Sequence, residues 1–125
     1  MAQVTIDLLE RLGRPIEDII EAAFTEDNPD IIEVLLNRGM SPNIETKYGN
    51  LLQTAIMYNN PDVVQILIEH NVDPFKMDKA EQIPDYLAGW NRMFGHMTPL
   101  EIAEHEGNYE IAELLSDYIR VIMIQ

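Results

Sequence analysis

Asn28-Pro29-Asp30-Ile31-Ile32-Glu33-Val34-Leu35-Leu36 returns as Asn60-Pro61-Asp62-Val63-Val64-Gln65-Ile66-Leu67-Ile68, an offset of 32 residues, and an alanine precedes each copy in register, Ala23 or Ala55. A third copy, Asn108-Tyr109-Glu110-Ile111-Ala112-Glu113-Leu114-Leu115, has its alanine at Ala103 and stands 48 residues beyond the second. That larger step equals a period of about 33 plus about 15 inserted residues, which fall between Asp78 and Gly95. Self-similarity at this period marks a stack of supersecondary units, each burying its apolar face against its neighbours.

Within each copy the apolar residues keep helical spacing. Ile31 with Leu35 and Ile32 with Leu36 are i, i+4 pairs, as are Val63 with Leu67 and Val64 with Ile68, so each copy predicts a helix buried along one stripe. Asn28, Asn60 and Asn108 suit a turn or the N-cap, and Pro29 and Pro61 fall in the first turn, where no backbone donor is needed. A shorter helical stretch precedes each copy, over residues 15–25, 51–58 and 98–106, the third opening on Thr98-Pro99 as capping residues. The unit is therefore a helix pair. Gly39-Met40-Ser41-Pro42-Asn43 and Asn71-Val72-Asp73-Pro74-Phe75 close the first two pairs; Gly or Asn suits a left-handed C-cap and the proline stops the helix.

These residues resemble the ankyrin repeat family. Residues 28–43 read almost as that family's second helix and loop, Thr98-Pro99-Leu100-Glu101-Ile102-Ala103 resembles its Thr-Pro-Leu-His-x-Ala opening, and Glu106-Gly107-Asn108 resembles its helix-linking turn. The resemblance covers residues 15–118. It departs from the pattern where the first copy lacks the opening threonine and proline, where Gly49-Asn50-Leu51-Leu52 is one residue short, where Glu21, Gln53 and Glu101 replace the histidine, and where the insertion splits the third copy. The fold it implies is an all-α ankyrin-repeat solenoid of about three helix-pair repeats. The expected organisation is one domain over 1–125, with a capping helix over 1–14, repeats over 15–46 and 47–78, and a third over 79–125 that carries the insertion 79–95 and the last helix.

Both ends have a reading of their own. Ile6, Leu8, Leu9 and Leu12 form a short amphipathic helix that can cover the end of the stack as a half-repeat, since a repeat cannot bury both faces alone. Ile111, Leu115, Tyr118 and Ile122 continue the last helix towards the C-terminus. Val121, Met123 and Ile124 are left on other faces, either as a fraying tail or as a self-association patch.

Composition narrows the partners. In 125 residues there are 22 acidic and 8 basic side chains and no cysteine, a formal net charge of −14. Such a chain repels nucleic acid phosphate and anionic lipid, so neither direct nucleic acid binding nor membrane binding is expected, and the partner should be basic or neutral. Without cysteine there is no disulfide framework, thiolate nucleophile or cysteine-type zinc site. No secretory leader is apparent, and no apolar run approaches the roughly 18 residues a bilayer span needs, which predicts a cytoplasmic protein.

The catalytic inventory is thin. Histidine occurs only at His70, His96 and His105 and serine only at Ser41 and Ser116, so a nucleophile with its base would have to be assembled from unrelated loops. No glycine-rich phosphate loop is present. Glu101-x-x-Glu104-His105 places a carboxylate and an imidazole one helical turn apart, a pattern that reads first as an exposed i, i+4 pair and only weakly as a metal or acid/base site. His70 stands at a helix end, where a cation is favoured by the macrodipole. No enzyme, cofactor or metal is expected.

What the resemblance implies instead is protein binding by loop tips and inner helices. Carried over position by position, the tips are Glu45, Thr46, Lys47, Tyr48 and Asn50, then Asp78 and Lys79 with the insertion, and the inner-helix contacts are Glu17, Glu21, Thr25, Gln53, Met57, Tyr58, Glu101, Glu104 and His105. The insertion adds Tyr86, Trp90, Arg92 and Phe94, residue types that dominate interface hot spots, although Leu87, Trp90 and Phe94 are also spaced as a small helix that packs on the stack. Charge is uneven: residues 15–36 hold seven acids and no base, and residues 101–117 six acids and no base. This is either a solvated surface or a steering field for a basic partner. The size, charge and single binding surface look like those of small acidic ankyrin-like immunity proteins that neutralise a toxin. The alternatives are a phage or viral anti-defence inhibitor that imitates nucleic acid charge, and a scaffold self-associating, as a weak homodimer, through the C-terminal helix.

Overall fold

The spacing within each helix pair is set by an alanine and closed by a left-handed turn. The computed structural model describes residues 2–46, 49–76 and 97–124, which fall into two compact units, Met1–Ser41 and Pro42–Gln125. The first unit contains α1 (Ala2–Arg11), α2 (Ile16–Thr25) and α3 (Asp30–Asn37). The second contains β1 (Glu45–Thr46), β2 (Gly49–Asn50), α4 (Leu51–Met57), α5 (Pro61–Glu69), α6 (Pro99–His105) and α7 (Tyr109–Ile124). The protein is all-α; the β structure among the described residues is one antiparallel ladder pairing Glu45 with Asn50 and Thr46 with Gly49.

The pairs α2/α3, α4/α5 and α6/α7 are joined by the same turn. Ala23, Ala55 and Ala103 have no exposed surface, and their carbonyls accept from the backbone N–H groups of Asn28, Asn60 and Asn108 at 2.8, 2.9 and 2.9 Å. The residue between takes a left-handed conformation, Asp27 at φ 51°, Asn59 at 51° and Gly107 at 75°. Together with the bonds Asp27 N–H to Phe24, Asn59 N–H to Ile56 and Gly107 N–H to Glu104, this is the Schellman arrangement that satisfies the last carbonyls of a helix. The outer helices end alike. Gly39 and Asn71, at φ 104° and 63°, are the left-handed C-caps expected from the sequence, and Met40 and Val72 donate back to Leu35 and Leu67 at 3.1 Å.

The helix starts differ more than the sequence suggested. Asn60 caps α5 by accepting from the Val63 N–H at 3.2 Å, as expected. Asn28 does not cap α3: the N-cap is Pro29, whose φ of −63° and ψ of −20° are already helical, with no side-chain cap bond. The α-helix is counted from Asp30, one residue later than in α5, and a three-residue turn in which the Asn28 carbonyl accepts from Ile31 N–H leads into it. The Asn108 side chain reaches out of its own helix pair, its amide donating to the Ile56 carbonyl at 2.9 Å, so it staples α4 to the turn that precedes α7.

The core of the first unit is built from Ile6 of α1, Ile19, Ile20 and Phe24 of α2, and Ile31, Ile32, Leu35 and Leu36 of α3. The i, i+4 pairs read from the sequence thus face inward. In α1 only Ile6 of the expected apolar set is buried, while Leu8 and Leu12 are 56 and 62% exposed. Residues 6 and 8 lie about 200° apart around a helix, so burying Ile6 turns Leu8 outward. In the second unit the core joins Leu51, Leu52 and Ile56 of α4, Val63, Val64 and Leu67 of α5, Ile102 of α6, and Ile111 and Leu115 of α7. Tyr118 on α7 donates its hydroxyl to the Val72 carbonyl at 2.8 Å. The Asp73 N–H donates to Asn43 at 2.7 Å, and Lys76 pairs with Glu45 at 3.1 Å. These bonds tie the segment after α5 to α7 and to the segment before α4.

Candidate partner-binding surface

The start of α4 decides what can reach a partner in the second unit. Asn50 accepts from the Gln53 N–H at 2.9 Å, its amide meets the Gln53 side-chain oxygen at 3.4 Å, and the Thr54 hydroxyl donates to the Asn50 carbonyl at 2.9 Å. Asn50, Gln53 and Thr54 are all buried. Buried polar groups need partners, and these three largely supply one another at a helix N-terminus, whose first N–H groups lack intrahelical acceptors. Gln53, expected on the binding surface, is only 3% exposed. Its side chain and backbone N–H are instead engaged with Asn50 in ordering the helix start.

The start of α6 repeats the device in the open. Thr98 accepts from the Glu101 N–H at 3.3 Å and the Glu101 carboxylate accepts from the Thr98 N–H at 3.0 Å, a reciprocal capping box. The bond from the Thr98 backbone, and then that to its side chain, hold the Glu101 carboxyl below the usual glutamate range. Glu101 remains exposed, but one of its oxygens is turned back onto the helix start. Among the described residues no three acidic, histidine or cysteine side chains are grouped to hold a metal ion.

Glu104 and His105 are exposed at the end of α6, and Met57 and Tyr58, 37 and 50% exposed, stand at the end of α4. The two helix ends meet at a cleft of about 290 Å³ lined by Ile56, Met57, Asn59, Glu106 and Asn108. Met57 is the one expected contact residue in it. The sequence suggests a turn for Glu106 and a turn or N-cap for Asn108, while their offset of 48 from Tyr58 and Asn60 already places the two turns side by side in a stack. Glu45 is occupied by Lys76.

In the first unit Glu21 is exposed and Glu17 half-buried on α2. Glu21 borders a groove of about 360 Å³ between α1 and α2, with Val4, Thr5, Leu8 and Leu9 on one side and Asp18, Ala22, Thr25 and Glu26 with it on the other. The sequence reading used Leu8 as a capping residue and missed the groove. The signal for it was the stripe Val4, Leu8, Leu12, which keeps i, i+4 spacing apart from Ile6. Lys47, Tyr48, Asp78, Lys79, Tyr86, Trp90, Arg92 and Phe94 lie outside the described residues. Of His70, the ring Nδ1 lies 3.0 Å from the Ile66 carbonyl; a carbonyl only accepts, so Nδ1 carries the hydrogen and closes the end of α5.

No described helix is long and apolar enough to cross a membrane. No curated protein and no solved structure matches the chain. The family model for ankyrin repeats, in three copies, matches residues 19–123. With the repeated helix pairs, their shared turns and that match, the chain belongs to the ankyrin repeat family, whose repeats are protein–protein interaction modules.

Proposed function

We propose that the protein is a non-enzymatic, cytoplasmic inhibitor, one domain over residues 1–125, that binds a single basic protein and masks it, and that this partner is a toxin for which it serves as the immunity protein. The observation that carries the reading is the set of exposed acids on the first helices of two repeats. Glu21 on α2 and Glu104 on α6 are open to solvent and have no ion-pair partner among the described residues. A surface of one sign steers an oppositely charged partner and makes association salt-dependent, while buried anchors set the affinity. On α4, which carries no acid of its own, Met57 and Tyr58 add an apolar and an aromatic contact of the kind that anchors interfaces.

The test is capture from nuclease-treated lysate of the source cells at low and high salt, with mass spectrometry of what is retained. One basic protein, held stoichiometrically and released by salt, is the expected result. Its activity, assayed with and without the captured chain, then separates an immunity protein from a plain binder. Recovery of the chain only with itself overturns the proposal in favour of a scaffold joined through α7, where Met123 and Ile124 are 72 and 78% exposed.

A second reading shares the acidic surface: an anti-defence inhibitor that imitates nucleic acid and occupies a nucleic-acid-processing enzyme. Reversing Glu17, Glu21, Glu101 and Glu104 together should abolish binding by a charge mimic. For a shape-matched inhibitor, Trp90→Ala should hurt more.

A further inference from the structure

The groove between α1 and α2 has an apolar wall and an acidic wall. Val4 and Leu8, 59 and 56% exposed, line it one helical turn apart on α1, and Leu12, 62% exposed, continues their spacing just past the helix. From the α2 side the groove is lined by Asp18 and Glu21 and by Glu26 at the helix's C-cap. Asp18 has Arg14 at 3.6 Å, whereas Glu21 and Glu26 have no ion pair among the described residues. Between the walls Ala22 presents only a methyl group, so a backbone can approach closely there.

We propose that this groove receives an amphipathic helix of a partner protein, laid along α1 and α2 with its apolar residues on Val4 and Leu8 and with lysines or arginines against Glu21 and Glu26. Charge complementarity selects the occupant. An apolar helix face alone fits the stripe, but next to two unpaired carboxylates only a segment that carries cations on the flank of its apolar face meets both walls. A second copy of the chain brings a net charge of −14 to a surface that is itself acidic, and its exposed apolar residues on α7 stand beside Asp117, which already holds the neighbouring Arg120 at 3.6 Å. The proposal rests on the reading of the partner as basic and adds where and in what conformation it binds.

The test uses the full chain and a fluorescent synthetic peptide of about 18 residues, long enough to hold a helix, with leucines on one face and lysines elsewhere. A scrambled peptide of the same composition and a leucine/glutamate counterpart serve as controls. The expected result is one-to-one binding of the first peptide, with backbone amide shifts at Val4, Leu8 and Ala22. Affinity should fall about tenfold in Leu8→Ser, and its salt dependence should flatten in the double variant Glu21→Lys/Glu26→Lys. Leu8 is largely exposed, so both variants are expected to keep the wild-type melting curve. The Glu110→Lys/Glu113→Lys variant, altered at exposed positions of α7 in the other unit, should bind as the wild type does. Equal binding of the scrambled or leucine/glutamate peptide overturns the proposal, as does undiminished affinity in Leu8→Ser. So does a wild-type dimer in sedimentation that Leu8→Ser dissociates, because the occupant is then a second copy. Peptide binding in the groove alongside failed capture of any basic protein sinks the inhibitor reading alone. Capture that is lost on reversing Glu101 and Glu104, with no peptide binding, sinks the groove alone.

Discussion

Gly107, Asp27 and Asn59 hold the same left-handed turn with three different residues, and the difference is measurable. A Cβ on Gly107 would meet nothing closer than the Tyr109 hydroxyl at 4.0 Å, so Gly107→Ala is expected to cost about 1 kcal/mol from the backbone conformation alone. Asp27→Gly relieves the same strain and should raise the urea midpoint slightly with an unchanged slope, the gain limited by the freedom glycine adds to the unfolded chain. Thr98→Ala removes the N-cap of α6 and should cost about 1 kcal/mol. The capping box also has a pH signature. Because the folded-state value of Glu101 lies below its ordinary one, its contribution is fully present above the ordinary glutamate range and is lost as pH falls through the lower folded value. Denaturant melts across that acid window should therefore show a steeper loss for the wild type than for Glu101→Gln, which has no carboxyl to protonate.

At the scale of elements, the helix pairs were legible because burial and period agree. Ile31, Leu35, Val63 and Leu67 stand at helical spacing and are all in the core, and the alanine that recurs before the second helix of each pair is the residue whose carbonyl closes the turn between them. Ala55→Leu tests this: with no exposed surface at that position, three more carbons must displace α5, at a cost of about 1–3 kcal/mol. Thermal melts read the loss directly. What the sequence reading missed are side chains with two uses. Asn28, Asn60 and Asn108 look alike in the chain, yet one lies before a proline that is already helical, one caps its helix and one donates to a carbonyl 52 residues away. Gln53 stands where the family has a histidine and reads as a polar surface residue until Asn50 is seen folding over it. Local spacing does not record which polar groups will be enclosed, since enclosure depends on a neighbouring repeat.

For the molecule as a whole, charge was legible and geometry only in part. The acids of α2 and α6 were visible in the composition of two stretches, but not that Glu101 would be turned to its own helix start, nor that Leu8 would face outward and border a groove with Glu21. That division has a physical cause: net charge is a property of the list of residues, whereas a groove exists only once two helices have taken their positions. One bond in the second unit links its repeats in a way that light can follow. Tyr118 on the last helix is bonded to the Val72 carbonyl of the preceding repeat, and burial, then the nearby Asp73 carboxylate, push its phenol above the ordinary tyrosine range. Its contribution to stability is present below the ordinary phenol value and disappears as pH rises through the raised one. An alkaline absorbance titration should thus contain a late phenolate transition that is absent in Tyr118→Phe. That single chromophore is a latch gauge: the pH at which it ionises reports how firmly the last repeat is shut against the one before it.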